Sequence, residues 1–165
     1  MHRFIPSLLD RLIDHPPRAG GSAVKPTLSI DELKASVARD VESLLNSRRG
    51  TLARDLKGFP LSQRSLLAFG LDDFVSMSMV SSVDRDAICR SLEGAIARHE
   101  PRLAQVRVSI ENDPGATDRL RFAIHALLQA HPLQEPVSFD AVLHTMTQQY
   151  DVRSGRPQAE GARRG

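Results

Sequence analysis

Glu100, Pro101 and Arg102 set a carboxylate and a guanidinium on either side of a ring that fixes the backbone. Such a triplet serves either as an internal ion pair or as a charge pair presented to a partner. A third use, protonation of a glycosidic oxygen by Glu100, needs a second carboxylate about 5 to 10 Å away. Asp72, Asp73, Glu111 and Asp140 are available, but no spacing selects one of them. With aromatic residues at 4% of the chain there is little to stack a sugar. The residues therefore point to a protein that is not an enzyme.

Other chemistry is equally thin. His99, His125, His131 and His144 fall on separate stretches without a spacing that gathers metal ligands. There is no GxxxxGK[ST] or GxGxxG loop to cradle a phosphate, and no Ser or Cys nucleophile with an identifiable base. Neither a metal nor a cofactor is expected. Arg48, Arg49, Arg54 and Lys57 form a basic patch behind a helix, where cations complement the carbonyl end. Cys89 sits in a helical pattern as a packed apolar residue. One cysteine allows no internal disulfide, and the cytoplasm is the compartment that fits.

The elements that must position these residues read as follows. Phe4, Ile5, Leu8, Leu9, Leu12 and Ile13 recur at helical spacing until Pro16-Pro17, predicting an N-terminal amphipathic helix over 1–17. Residues 18–28, with Gly20-Gly21 and Pro26, have linker composition. A helix so short must dock, on its own domain or on a partner. Ser29 and Glu32 match a capping box, and Ile30, Leu33, Val37, Val41, Leu44 and Leu45 trace one face of a helix ending near Asn46. Ile88, Leu92 and Ile96 lie one above another in a second long helix, which Pro101 stops.

Beyond Pro101 the period changes to two. Val106, Val108 and Ile110 alternate with polar residues, Asp113-Pro114-Gly115 turns, and Leu120, Phe122, Ile124, Ala126 and Leu128 return as a hairpin. Val137, Phe139 and Ala141 suggest a third strand, and residues 150–152 a short fourth. The fold class is α+β, two long helices packed on a small, mostly antiparallel sheet formed by the C-terminal half. The domain spans 29–152, with a disordered basic tail over 153–165. That tail carries +3 of a total net charge of +2, leaving −1 on the rest, so no nucleic-acid footprint is expected. At 165 residues one core buries roughly 70% of the unfolded surface. Nothing in the N-terminus has the uninterrupted apolar run of a secretory signal, and no window is apolar enough for direct membrane insertion.

Several segments together resemble the TssE family of type VI secretion baseplate proteins, relatives of a contractile-phage baseplate wedge protein once labelled lysozyme-like. Residues 7–12, SLLDRL, resemble that family's N-terminal motif. Residues 36–40 and 44–48 resemble its SVxRDLExLLNTR stretch, and Phe69-Gly70-Leu71 with Asp73-Phe74 its YGLPDF. Glu100-Pro101-Arg102-Leu103 matches EPRL without a change, and Val137-Ser138-Phe139 resembles a late strand. The chain departs from the pattern at Ser47, Phe69 and Asp72, and residues 145–150 lack the usual turn glycine.

The resemblance implies a structural part of a contractile injection baseplate, at the cytoplasmic face of the inner membrane. Its partners would be the wedge proteins TssF and TssG, with TssK, and the TssB-TssC sheath, whose assembly it would help start. Glu100, Pro101 and Arg102 would be the partner-binding residues, a charged clamp on a helical bundle. An open sheet edge near the C-terminus would offer N–H and C=O groups to a sheath strand. Two other readings stand beside it, a soluble regulatory adaptor on the same fold and a peptidoglycan glycosidase using Glu100.

Overall fold

Ser29 opens the first helix, α1 (Ile30–Asn46), through reciprocal bonds: the Glu32 N–H donates to the Ser29 hydroxyl at 3.2 Å, and the Ser29 N–H donates to Glu32 at 2.7 Å. The computed structural model describes residues 4–7, 10, 27–50, 56, 58–72, 81–111, 119–131 and 133–155. Leu33, Val37, Val41, Leu44 and Leu45 line the buried face of α1, as their spacing predicts. The second helix, α2 (Ser82–His99), is capped by the Ser81 hydroxyl and buries Ile88, Leu92, Ala95 and Ile96.

Four strands follow: β1 (Leu103–Glu111), β2 (Arg119–Ala130), β3 (Leu133–His144) and β4 (Gln149–Ser154). They pair antiparallel in the order β1-β2-β3-β4, a meander with each strand beside its sequence neighbours. α1 lies over β3 and β4, and α2 over β1, so one core joins both helices to one face of the sheet. Phe122, Ile124, Phe139 and Tyr150 are the largest side chains that face contributes. The opposite face pairs charges and polar groups across strands, Glu111 with Arg121 and Asp140 with Arg153.

Three features differ from the sequence-based expectation, each for a local reason. Phe4 forms an antiparallel bridge with Leu28, at 2.9 and 2.8 Å, so residues 4–7 are not helical. Ser7 and Asp10 exchange reciprocal bonds of 3.1 Å, the geometry of a helix start, and Asp10 is helical. Residues 1–3, 8–9 and 11–26, which hold the rest of the expected helix and most of the linker, lie outside the described residues. Secondly, β1 carries a bulge between Ala104 and Arg107, with Gln105 at φ 53°, which turns both Leu103 and Val106 into the core. Thirdly, the terminal hairpin closes without a glycine: Gln148 takes φ 55° and its N–H donates to the His144 carbonyl at 2.7 Å. β4 also runs through Ser154, two residues past the expected end of the domain, and Gly155 still donates to Ser138 at 2.8 Å. The tail from 156 onward lies outside the described residues.

Between the helices, the 3-10 turns Ser62–Arg64 and Leu66–Ala68 lead to Gly70, whose φ of 107° suits only glycine. A Cβ there would lie 2.5 Å from the Ser47 carbonyl oxygen, because Leu71 pairs with Ser47 and Arg49, just past α1, in a short parallel bridge at 2.8 Å. Gly70→Ala is expected to cost about 2–3 kcal/mol or more, combining a forbidden φ with a backbone clash. A urea unfolding midpoint unchanged from wild type would contradict this packing.

Candidate functional site

The junction between α2 and β1 is built on Pro101, whose ring fixes the backbone there. Glu100 ends α2, its N–H donating to the Ile96 carbonyl at 2.8 Å, and Pro101 cannot continue the ladder. The backbone then turns so that the Arg102 carbonyl accepts from the Gln129 N–H at 2.7 Å, which enrols the motif in the β1-β2 pairing. Glu100 folds back into this turn. Its Oε1 accepts from the Arg102 N–H at 3.1 Å and from Nε at 2.7 Å, and its Oε2 accepts from Nη2 at 2.5 Å. The pair is bidentate, and the Glu100 side chain is only 6% exposed.

Arg102 reaches across to α1 with its remaining donors. Nη2 also donates to Asp40 Oδ2 at 2.5 Å, and Nη1 to the Ser36 hydroxyl at 3.4 Å. That hydroxyl donates in turn to Asp10 Oδ2 at 2.7 Å. Asp10 is buried, accepts from the Ser7 hydroxyl at 2.8 Å, and is paired with Arg39. One polar network therefore joins the N-terminal segment, one face of α1 and the start of the sheet, with three carboxylates around two guanidinia.

The electrostatics follow from the partners. Burial pulls the Arg102 guanidinium down, but the hydrogen bonds and charge of Glu100, followed by those of Asp40, more than reverse this and hold its pKa above the usual arginine value. Burial alone would raise Asp10; bonds from Ser36 and Ser7 and the charge of Arg39 leave its carboxyl below the ordinary 3.8. Elsewhere, burial pushes the Cys89 thiol up, with Glu93 and Asp86 adding to it, which leaves little thiolate at neutral pH.

Of the residues expected to act together, the structure brings Glu100 and Arg102 into direct contact and leaves Pro101 exposed. Glu100 is an interior group, while Arg102 keeps 24% of its side chain in solvent. The acidic candidates Asp72, Glu111 and Asp140 make no hydrogen bond to this network. Asp73 lies outside the described residues. Ser36, Arg39 and Asp40 fall in a stretch that carries the family resemblance, yet nothing in their local pattern aims them at Arg102. Asp10 had a legible signal, since Ser7-x-x-Asp10 is itself a capping signature. Of the basic patch, Arg48 leans on the Gln148 carbonyl at 3.3 Å and so braces the last hairpin. Among the described residues no three His, Cys, Asp or Glu side chains gather as a metal would need, and no helix is long and apolar enough to cross a membrane.

The expectation of an open edge at β4 needs correction. The Tyr150 N–H donates to Asn46 Oδ1 and the Tyr150 carbonyl accepts from Asn46 Nδ2, both at 2.8 Å. The Val152 N–H donates to Glu42 Oε2 at 2.7 Å. Side chains of α1 thus occupy these outward groups of the edge strand. At the other edge, the Val108 N–H donates to Glu93 of α2 at 2.8 Å.

The fold is thus an α+β domain, two helices on an antiparallel meander, whose polar network braces its elements and whose edge strands have some outward groups occupied by side chains of its own helices. The profile of the family described as baseplate wedge protein gp25 matches residues 31–133, more than half of the chain and the stretch that includes α1, α2, β1 and β2. The chain belongs to the gp25 baseplate wedge protein family, and its role is that of a structural component of a contractile injection baseplate that contacts other baseplate proteins. No curated protein matches it.

Two measurements test the network. Arg102→Ala leaves Glu100 buried and unpaired, and should lower stability by about 2–4 kcal/mol, less than a fully buried pair would lose because Arg102 is partly solvated; an unchanged urea midpoint would count against it. Asp10 titrates below its unfolded value, so its contribution is complete above about pH 4 and is lost as pH falls through the lower folded value. Asp10→Asn should flatten the acid limb of a plot of melting temperature against pH, and a limb identical to wild type would show that Asp10 is not held as described.

Proposed function

We propose that the chain is the TssE-type wedge adaptor of a type VI secretion baseplate, working at the cytoplasmic face of the inner membrane. It docks on a TssF-TssG bundle, adjoins TssK, and helps start the TssB-TssC sheath. The observation that carries the reading is the Arg102 network: an EPRL turn matching that of the resemblance stands at a rigid surface junction with its guanidinium partly in solvent. In this reading Arg102 is the group presented to the bundle, Pro101 shapes the turn beside it, and Glu100 is a positioning residue that aims the guanidinium from within. With four of its five N–H groups taken by Glu100, Asp40 and Ser36, the guanidinium keeps one Nη1 N–H in a set direction, which suits a carboxylate or carbonyl group at a helix end.

The same geometry supports a non-enzymatic role. Both Glu100 oxygens accept from Arg102, so the carboxylate that a glycosidase would use as an acid is committed and out of solvent. Pairing with an incoming sheath strand at β4 requires Glu42 and Asn46 to give up Val152 and Tyr150, so the strand exchange is coupled to α1.

Co-expression with TssF and TssG, followed by size-exclusion chromatography, tests the docking. Wild type is expected to co-elute with the pair, whereas Arg102→Ala, shown to be folded by circular dichroism at the working temperature, is expected to elute alone. Arg102→Lys, which retains charge but not the fork, should be intermediate. Equal complex yield from all three would rule out the EPRL turn as the contact.

A further inference from the structure

The end of the molecule where both helices stop carries a second cluster that the Arg102 network does not use. Arg49 follows the last turn of α1 and Arg98 lies in the last turn of α2, each near a helix carbonyl end. Their placement exceeds what that end requires. The nearest countercharge among the described residues is Asp72, 3.4 Å from Arg49 and 57% exposed. Arg49 Nε is buried without a hydrogen-bond partner among the described residues, although a guanidinium N–H out of water ordinarily finds an acceptor. Burial and the charge of Arg49 both lower Arg98, and only Asp72 opposes them. His99 is lowered by burial and by both arginines, against the support of its bond to the Ala68 carbonyl at 3.0 Å.

Beside these cations the connecting loop turns large apolar side chains outward. Leu66 and Leu67 are 86% and 58% exposed, and Phe59 and Leu61 are 63% and 84% exposed. The loop is held in place while they point out: His99 bonds the Ala68 carbonyl, and Phe69 packs edge-on against the His99 ring at 5.3 Å. Leu71 then pairs with Ser47 and Arg49, which brings the leucines to within a few residues of the arginine pair.

We propose that this end is a second docking surface, which takes an amphipathic, acidic segment of another baseplate subunit. Its apolar side chains cover Phe59, Leu61, Leu66 and Leu67, and one of its carboxylates pairs with Arg98 and with the solvent-facing part of the Arg49 guanidinium. The inference rests on the baseplate reading, since it assumes subunits to bind. Charge decides the occupant: a second copy of this chain would bring the same cations to a symmetric contact, which like-charge repulsion opposes. A bare phosphate would leave the leucines uncovered.

Photo-crosslinking in cells that assemble the machine tests this, with p-benzoylphenylalanine replacing Leu66 in one strain and Pro101 in another. Arg98 is exposed and makes no hydrogen bond among the described residues, so Arg98→Glu should fold normally, which a melting curve verifies. The expected result is capture at position 66 of a baseplate subunit, through a peptide that places Asp or Glu among apolar residues. Arg98→Glu should reduce that capture about tenfold, and reversing the captured acid to Lys should restore it. Capture at position 101 but not at 66 overturns this inference alone. So does capture of a second copy of the chain, or capture that ignores Arg98→Glu. No capture at either position overturns the inference together with the docking role on which it rests.

Discussion

Arg102 is a guanidinium taken largely out of water at the one point where helix becomes sheet, and the rest of the structure is arranged around satisfying it. Glu100 meets it from behind, Asp40 and Ser36 from α1, and the Gln129 N–H fixes its carbonyl on the sheet. A charge held in this way resists removal of any partner, because the group left behind would be buried and uncompensated. The network therefore has consequences at three levels. It bridges the end of α2 to the start of β1, ties α1 across that junction, and holds the N-terminal segment to the domain through Asp10.

The sheet edges show the same economy of parts. Glu42 and Asn46 are four residues apart on α1, about 6 Å along the axis, and Tyr150 and Val152 are two apart on β4, about 7 Å. The near match of these repeats lets one helix face bond two successive outward N–H groups of a strand. At the far edge Glu93 of α2 accepts from one such group, the Val108 N–H. A free four-stranded meander would expose two templates for uncontrolled pairing; here helix side chains occupy part of each. In a member of a baseplate wedge family, such side-chain cover guards the edges against uncontrolled pairing.

Much of the fold was legible because its signals are local. The Ser29 and Glu32 box, the face from Leu33 to Leu45, the stop at Pro101 and the two-residue alternation of β1 and β2 all depend on neighbours within a turn or a pleat. What escaped was non-local or paid for elsewhere. The bulge at Gln105 and the turn at Gln148 use a positive φ on a residue type that does not advertise it; the energy comes from Leu103 and Val106 both reaching the core, and from closing β3 on β4. The Phe4 bridge to Leu28 interrupts a sequence that reads as continuous helix, because the strand-like pairing of two distant backbones outweighs periodicity at a helix end.

By itself the sequence determined the class of fold, the order of its elements and the triplet Glu100, Pro101 and Arg102, since helical and strand periods, caps and a proline act over a few residues. It also carried the family resemblance that the match over residues 31–133 upholds. Only the tertiary structure decided that Glu100 faces inward and Arg102 partly outward, that Asp10, Ser36 and Asp40 converge on them from two other segments, and that α1 occupies outward groups of the edge at β4. Those outcomes depend on which buried charges find counter-charges once the helices have docked on the sheet, and the partners come from residues as far apart as 10 and 102.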